Sequence, residues 1–115
     1  MLHHGSCHCG RIAFTVEGVV DNAIDCNCSL CRRRGALLWF APRANFTLLT
    51  PEDALSTYRF NTQRIAHHFC ATCGCTPYSA ANAPDGTPTV AINLRCVEGI
   101  DLAQLAITAV DGRSR

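Results

Sequence analysis

Three thiols fall within six residues in Cys26-Asn27-Cys28-Ser29-Leu30-Cys31. In an extended segment, side chains at i and i+2 leave the same face of the backbone, so Cys26 and Cys28 point together. A turn after them returns Cys31 to the same place. Clustered thiols suit a soft-ligand metal, with tetrahedral zinc the default occupant. The count of three is informative. Structural zinc sites are closed by four protein ligands, whereas catalytic ones keep three and leave a position for water or substrate. The spacing alone admits an open site, or a closed one completed from elsewhere in the chain.

A second thiol set follows later. Phe69-Cys70-Ala71-Thr72-Cys73-Gly74 is a zinc-knuckle sequence, whose C-x-x-C turn aims both sulfurs at one centre. Gly74 permits the left-handed backbone that such a tight turn needs. Cys7-His8-Cys9 supplies a matching pair near the N-terminus, so Cys7, Cys9, Cys70 and Cys73 read as a structural zinc site. That link closes a loop of about sixty residues, where a cross-link restricts the unfolded chain strongly. Cys75 lies one residue outside the knuckle, and Cys96 reads as a small buried apolar residue. Cys26, Cys28 and Cys31 are then left without an obvious fourth cysteine, which favours an open site.

The nine cysteines of this 115-residue chain would suit a secreted disulfide scaffold. The odd count, the clustered spacing and the lack of a signal-like apolar N-terminus argue instead for a reduced, cytoplasmic, metal-binding protein. No apolar run is long enough for a membrane span. With 48% hydrophobic residues and a formal net charge of +1, the composition excludes disorder and gives no basis for steering toward nucleic acid. All ten basic residues are Arg, so Schiff-base chemistry on a lysine is excluded.

The chain reads as a single domain of short strands. Strands are expected over 11–17, 22–26, 36–41 (buried, ending at Pro42), 46–49, 55–60, 64–69, 76–79 and 89–94. Ser29–Gly35 reads as one helical turn, with Ser29 as N-cap and Gly35 as terminator. Asp101–Leu105 reads as a brief helix. The sum is a mainly β domain stapled by metal.

Three segments carry a family resemblance: Gly5-Ser6-Cys7-His8-Cys9-Gly10, Cys26-Asn27-Cys28-Ser29-Leu30-Cys31-Arg32 and His68-Phe69-Cys70-Ala71-Thr72-Cys73-Gly74. With Ile92-Asn93-Leu94-Arg95-Cys96 they span most of the chain. The sequence resembles the glutathione-dependent formaldehyde-activating enzyme family, which shares its fold with centromere protein V-like proteins. The resemblance implies several short coiled antiparallel sheets of the Mss4-like type, within one zinc-binding domain over residues 1–115. It implies two zinc ions per chain, a structural one on Cys7, Cys9, Cys70 and Cys73 and a catalytic one on Cys26, Cys28 and Cys31. The implied activity joins glutathione to formaldehyde as S-hydroxymethylglutathione, a carbon–sulfur lyase reaction in reverse.

An open zinc site suits that chemistry in two ways. The metal deprotonates an entering thiol, or it polarises the aldehyde oxygen while the thiol attacks from outside. Arg32, Arg33 and Arg34 are candidates to offset the thiolate charge and to bind substrate carboxylates, although charge runs are usually solvent-facing and at least two of the three read so. His67 and His68 alternate across a strand, so only one can face a site as a base. Two rival readings are a non-catalytic zinc-binding interaction module and a thiol redox sensor built on Cys26–Cys31.

Overall fold

The computed structural model describes residues 1–114. Its strands are β1 (Leu2–Ser6), β2 (Ala13–Glu17), β3 (Asn22–Cys26), β4 (Leu38–Pro42), β5 (Phe46–Leu48), β6 (Leu55–Tyr58), β7 (Ala66–Cys70), β8 (Tyr78–Asn82), β9 (Pro88–Asn93) and β10 (Ala106–Val110). One α-helical turn, α1 (Cys31–Arg34), and four short 3-10 turns interrupt them among the described residues. The strands form two sheets, a three-stranded one ordered β1-β2-β5 and a seven-stranded one ordered β10-β3-β4-β9-β8-β7-β6. The mainly β architecture expected from the sequence is present. All pairs are antiparallel except β10 with β3, which run parallel.

The core lies between the sheets. Phe14 and Val16 alternate along β2 and are fully buried, as are Val90 and Ile92 along β9. Phe14 and Phe46 come from the small sheet and Tyr78 from the large one. Their ring centroids lie 5.2 Å (Phe14–Phe46), 4.5 Å (Phe46–Tyr78) and 6.1 Å (Phe14–Tyr78) apart, so the three rings stitch the sheets together.

Several expectations change in detail. The strand expected at 36–41 begins at Leu38 and runs through Pro42, with Phe40 half exposed; the buried residues Ala36 and Leu37 precede it. Ser29 does not cap α1: Leu30 occupies the cap position with helical dihedrals and no side-chain bond. The Cys31 N–H donates to Cys28 Sγ at 3.3 Å, so a sulfur takes the role expected of the serine hydroxyl. Gly35 does terminate the turn, at φ 70°. Asp101–Leu105 contains only a 3-10 turn, Leu102–Gln104, with the Asp101 carboxylate accepting from Ala103 N at 3.1 Å. Strands β1 and β10 had no counterpart in the sequence reading.

Gly5 pairs with Phe14 across β1 and β2, and the phenylalanine ring folds over it. A methyl group at Gly5 would overlap that ring, which is enclosed in the core and cannot move away cheaply. Gly5→Ala is therefore expected to cost about 1–3 kcal/mol, the usual range for overpacking. Thermal melting should show a drop of several degrees, and an unchanged midpoint would contradict this packing.

Candidate metal centres

The β1–β2 turn carries Cys7 and Cys9, while Cys70 ends β7 and Cys73 sits in the turn that follows. All four sulfurs lie within 4.8 Å of one another. The Cys7–Cys9 separation is 3.7 Å and the Cys9–Cys70 separation 3.6 Å. A tetrahedron with Zn–S bonds near 2.3 Å has edges of about 3.8 Å, so these spacings fit zinc. Gly74 follows with φ 81°, and its N–H returns to Cys70 O at 2.8 Å to close the knuckle. Arg11 Nη1 donates to Thr72 Oγ1 at 3.0 Å, adding a second tie between the two turns.

Backbone donors favour thiolate in this set. The N–H groups of Cys75 and Cys9, aided by the neighbouring thiols and opposed by burial, pull Cys73 down to about 5. At Cys9 the Arg11 N–H acts downward, but burial and bonds to Cys70, Cys7 and Cys73 push the thiol up to about 11. Four thiols crowded together cannot all ionise unaided, and a divalent cation removes that conflict.

The other three cysteines also meet. Cys26 ends β3, Cys31 opens α1, and Cys28 lies in the bend between them. Their sulfurs lie within 4.8 Å of one another and all three residues are half-buried. Cys28 N donates to Cys26 Sγ at 3.4 Å. Burial works against ionisation of Cys28, but the N–H groups of Cys31 and Leu30 and the adjacent thiols hold it below its usual value. Burial, then hydrogen bonding to Cys28 and the charge of Cys26 and Cys28, pushes Cys31 up. This set too has more thiol than it can ionise without a cation. No other His, Cys, Asp or Glu joins either group among the described residues.

The C-terminal segment completes this second site, and nothing in the sequence reading anticipated it. β10 runs beside β3 with Val110 opposite Cys26, and Asn27 N donates to Val110 O at 3.1 Å. The Asn27 side chain then bonds Asp111 Oδ1 at 3.1 Å and accepts from Arg113 N at 2.9 Å. These bonds press Gly112 against the cluster. A Cβ there would stand 2.6 Å from Cys26 Sγ and 3.2 Å from Cys28 Cβ. The cradle is shaped to the sulfurs and has no room for a side chain.

Other candidates are placed as follows. Arg32 and Arg33 are exposed, with Arg33 Nη1 bonded to Ser29 O at 2.8 Å, while Arg34 is half-buried. His67 is buried with Nδ1 3.2 Å from Ser79 Oγ, and His68 Nδ1 lies 2.9 Å from Thr57 Oγ1. Neither histidine hydrogen-bonds a cysteine. Cys75 and Cys96 join neither set. Cys96, expected as a small buried residue and not a ligand, is half-buried and joins no ligand set; burial, then the charge of nearby Cys75, Cys7 and Cys73, pushes its thiol up to about 11.

Gly112→Ala is expected to displace Cys26 and empty the second centre while leaving the four-cysteine set intact. Metal analysis of the variant should then show about half the bound zinc of the parent, because only one of the two donor sets is disturbed. Full retention of metal would mean that the segment does not shape the cluster.

Residues 2–105 match the sequence model of a family described as glutathione-dependent formaldehyde-activating enzyme. A crystal structure of a Rhodobacter sphaeroides protein, solved as a structural genomics target, is similar in fold, with a TM-score of 0.77 and 29% sequence identity. The similarity covers 94% of this chain and 100% of that one. The family match includes both thiol sets and stops before β10 and Gly112. With residues 2–105 matched, the chain belongs to the glutathione-dependent formaldehyde-activating enzyme family.

Proposed function

We propose that this protein joins glutathione, or a thiol of similar build, to formaldehyde or a related aldehyde as an S-hydroxymethyl adduct, a carbon–sulfur lyase reaction run toward synthesis. The observation that carries the reading is the unequal thiol count, four sulfurs in one set and three in the other. In this reading Cys7, Cys9, Cys70 and Cys73 hold a structural zinc, Cys26, Cys28 and Cys31 hold a catalytic one, and residues 1–115 act as one zinc-binding domain. A cytoplasmic setting would keep the thiols reduced. Among the described residues no helix is long and apolar enough to cross a membrane.

Zinc, when bound by Cys26, Cys28 and Cys31, would supply a thiolate nucleophile at neutral pH and an acid to polarise a carbonyl. The addition itself balances without a redox partner: the S–C bond forms, the carbonyl π pair moves to oxygen, and the thiol proton ends on that oxygen. The protein's part is placement and charge. Backbone N–H groups aimed at Cys26 and Cys28 hold that pair of sulfurs, and Gly112 closes one side of the cluster. Three thiolates on a divalent ion leave a net charge of about −1, which Arg34, three residues past Cys31, is placed to offset. His67 and His68 use their Nδ1 atoms on Ser79 and Thr57 and bond no cysteine, and the reading assigns neither a role as base.

Cobalt(II) exchanged into both centres tests the open position. The four-sulfur set should give constant visible bands, so a difference spectrum reports the three-sulfur set. Added glutathione should change that spectrum and release a proton, and formaldehyde should change it again as thiolate is consumed. Bands that ignore added thiol would indicate a closed site, and a non-catalytic zinc module would then replace the enzyme.

A further inference from the structure

Between the two thiol sets lies a cavity of about 680 Å³. That volume falls within the roughly 300–1,000 Å³ typical of small-ligand sites. Leu30, Tyr58 and Phe69 supply apolar wall, and Cys75 and Cys96 also line it. Among the described residues its only charged lining residues are Arg34 and Arg95, and no carboxylate faces it. Arg34 follows Cys31 by three residues on the same helical turn, a spacing that puts both on one face. The cavity thus begins beside the three-cysteine cluster and extends toward the knuckle that carries Gly74.

The two arginines are largely uncommitted. Among the described residues, the only ion pair joins the N-terminal ammonium to Glu17. The Arg34 guanidinium donates no hydrogen bond to these residues, although the residue is half-buried. Arg95 uses its Nε on Gly35 O at 3.1 Å, which leaves its terminal nitrogens and fixes its guanidinium next to α1. A guanidinium taken partly out of water without an anion or acceptor is unfavourable, and a ligand anion satisfies it. The planar fork pairs well with a carboxylate.

We infer that this cavity is the subsite for the non-reacting, carboxylate-bearing part of the thiol substrate, with Arg34 and Arg95 as its cationic partners. The inference rests on the thiol reaction proposed above and adds the part of the molecule that selects which thiol is used. A small thiol without carboxylates offers neither guanidinium a carboxylate partner and gains nothing from the cavity. A peptide thiol with two carboxylates gains both the charge pairs and apolar burial against Leu30 and Phe69.

S-methylglutathione is a suitable probe, because its capped sulfur cannot enter a metal site as thiolate while its carboxylates remain. Calorimetric titration into zinc-loaded protein should show binding. Arg34→Gln should weaken it at least about tenfold, as expected for a lost charged hydrogen-bonded pair. Arg34→Lys should recover part of the loss. The S-methyl dimethyl ester should bind the parent no better than S-methylglutathione binds Arg34→Gln. Arg95→Gln should behave similarly, and Arg95→Lys, which keeps a cation while losing the Gly35 contact, separates charge from packing. Failure of the parent to bind the probe at millimolar concentration would overturn the inference, as would equal binding by Arg34→Gln with an unchanged melting temperature. If cobalt spectra show no thiol entry yet the probe binds through Arg34, the reaction is wrong and the subsite stands. If thiol enters the cobalt site but 2-mercaptoethanol binds as tightly as glutathione, the reaction stands and the subsite falls.

Discussion

The meeting of Cys7 and Cys9 with Cys70 and Cys73 is the constraint on which the rest of the molecule depends. It fastens the hairpin turn of the small sheet to one end of β7 in the large sheet, across a sequence separation of 61 residues between Cys9 and Cys70. Apart from that junction, the sheets are held chiefly by Phe14, Phe46 and Tyr78 and their apolar neighbours. A chain of this length buries only a modest core, so metal binding at such a junction contributes directly to folding free energy. With the two sheets fixed in this way, the β3–β10 edge is relieved of holding the fold. It can carry a less complete thiol set at the surface.

That division explains the contrast between the centres. In the first set Cys7 and Cys70 are buried, at 2% and 1% exposure, while Cys73 is half-buried and Cys9 exposed; Cys26, Cys28 and Cys31 are all half-buried. Four sulfurs anchored on two buried cysteines would suit a permanent metal, and a set of three would suit exchange with solvent or ligand. The half-buried Arg34 and the cavity it lines stand on the accessible side. The Gly112 segment covers another flank. Access to the cluster is therefore limited in direction by parts of the chain far apart in sequence.

The thiol sets were legible in the sequence because ligand spacing is local: C-x-C and C-x-x-C converge within one turn whatever surrounds them. Alternating strands such as β2 and β9 were legible for the same reason. β1 was not, because the residues it buries are His3 and Gly5, which give no apolar period. β10 exposes nearly every residue and is defined only by pairing with β3, a partner more than eighty residues away. The Gly112 contact was hidden for that reason too. Among Arg32, Arg33 and Arg34 the sequence could say that most face solvent, but choosing Arg34 required seeing it line one cavity with Tyr58 of β6 and Asn93 of β9. Ser29 misled as a cap because a cysteine sulfur competes for the same N–H.

Zinc-edge X-ray absorption on reduced, freshly purified protein, with the metal quantified per chain, tests the central claim of one closed and one open centre most directly. The expected result is two zinc ions per chain, one bound by four sulfurs and the other by three sulfurs and a lighter atom. A single zinc ion, or four protein sulfurs at both centres, would contradict it.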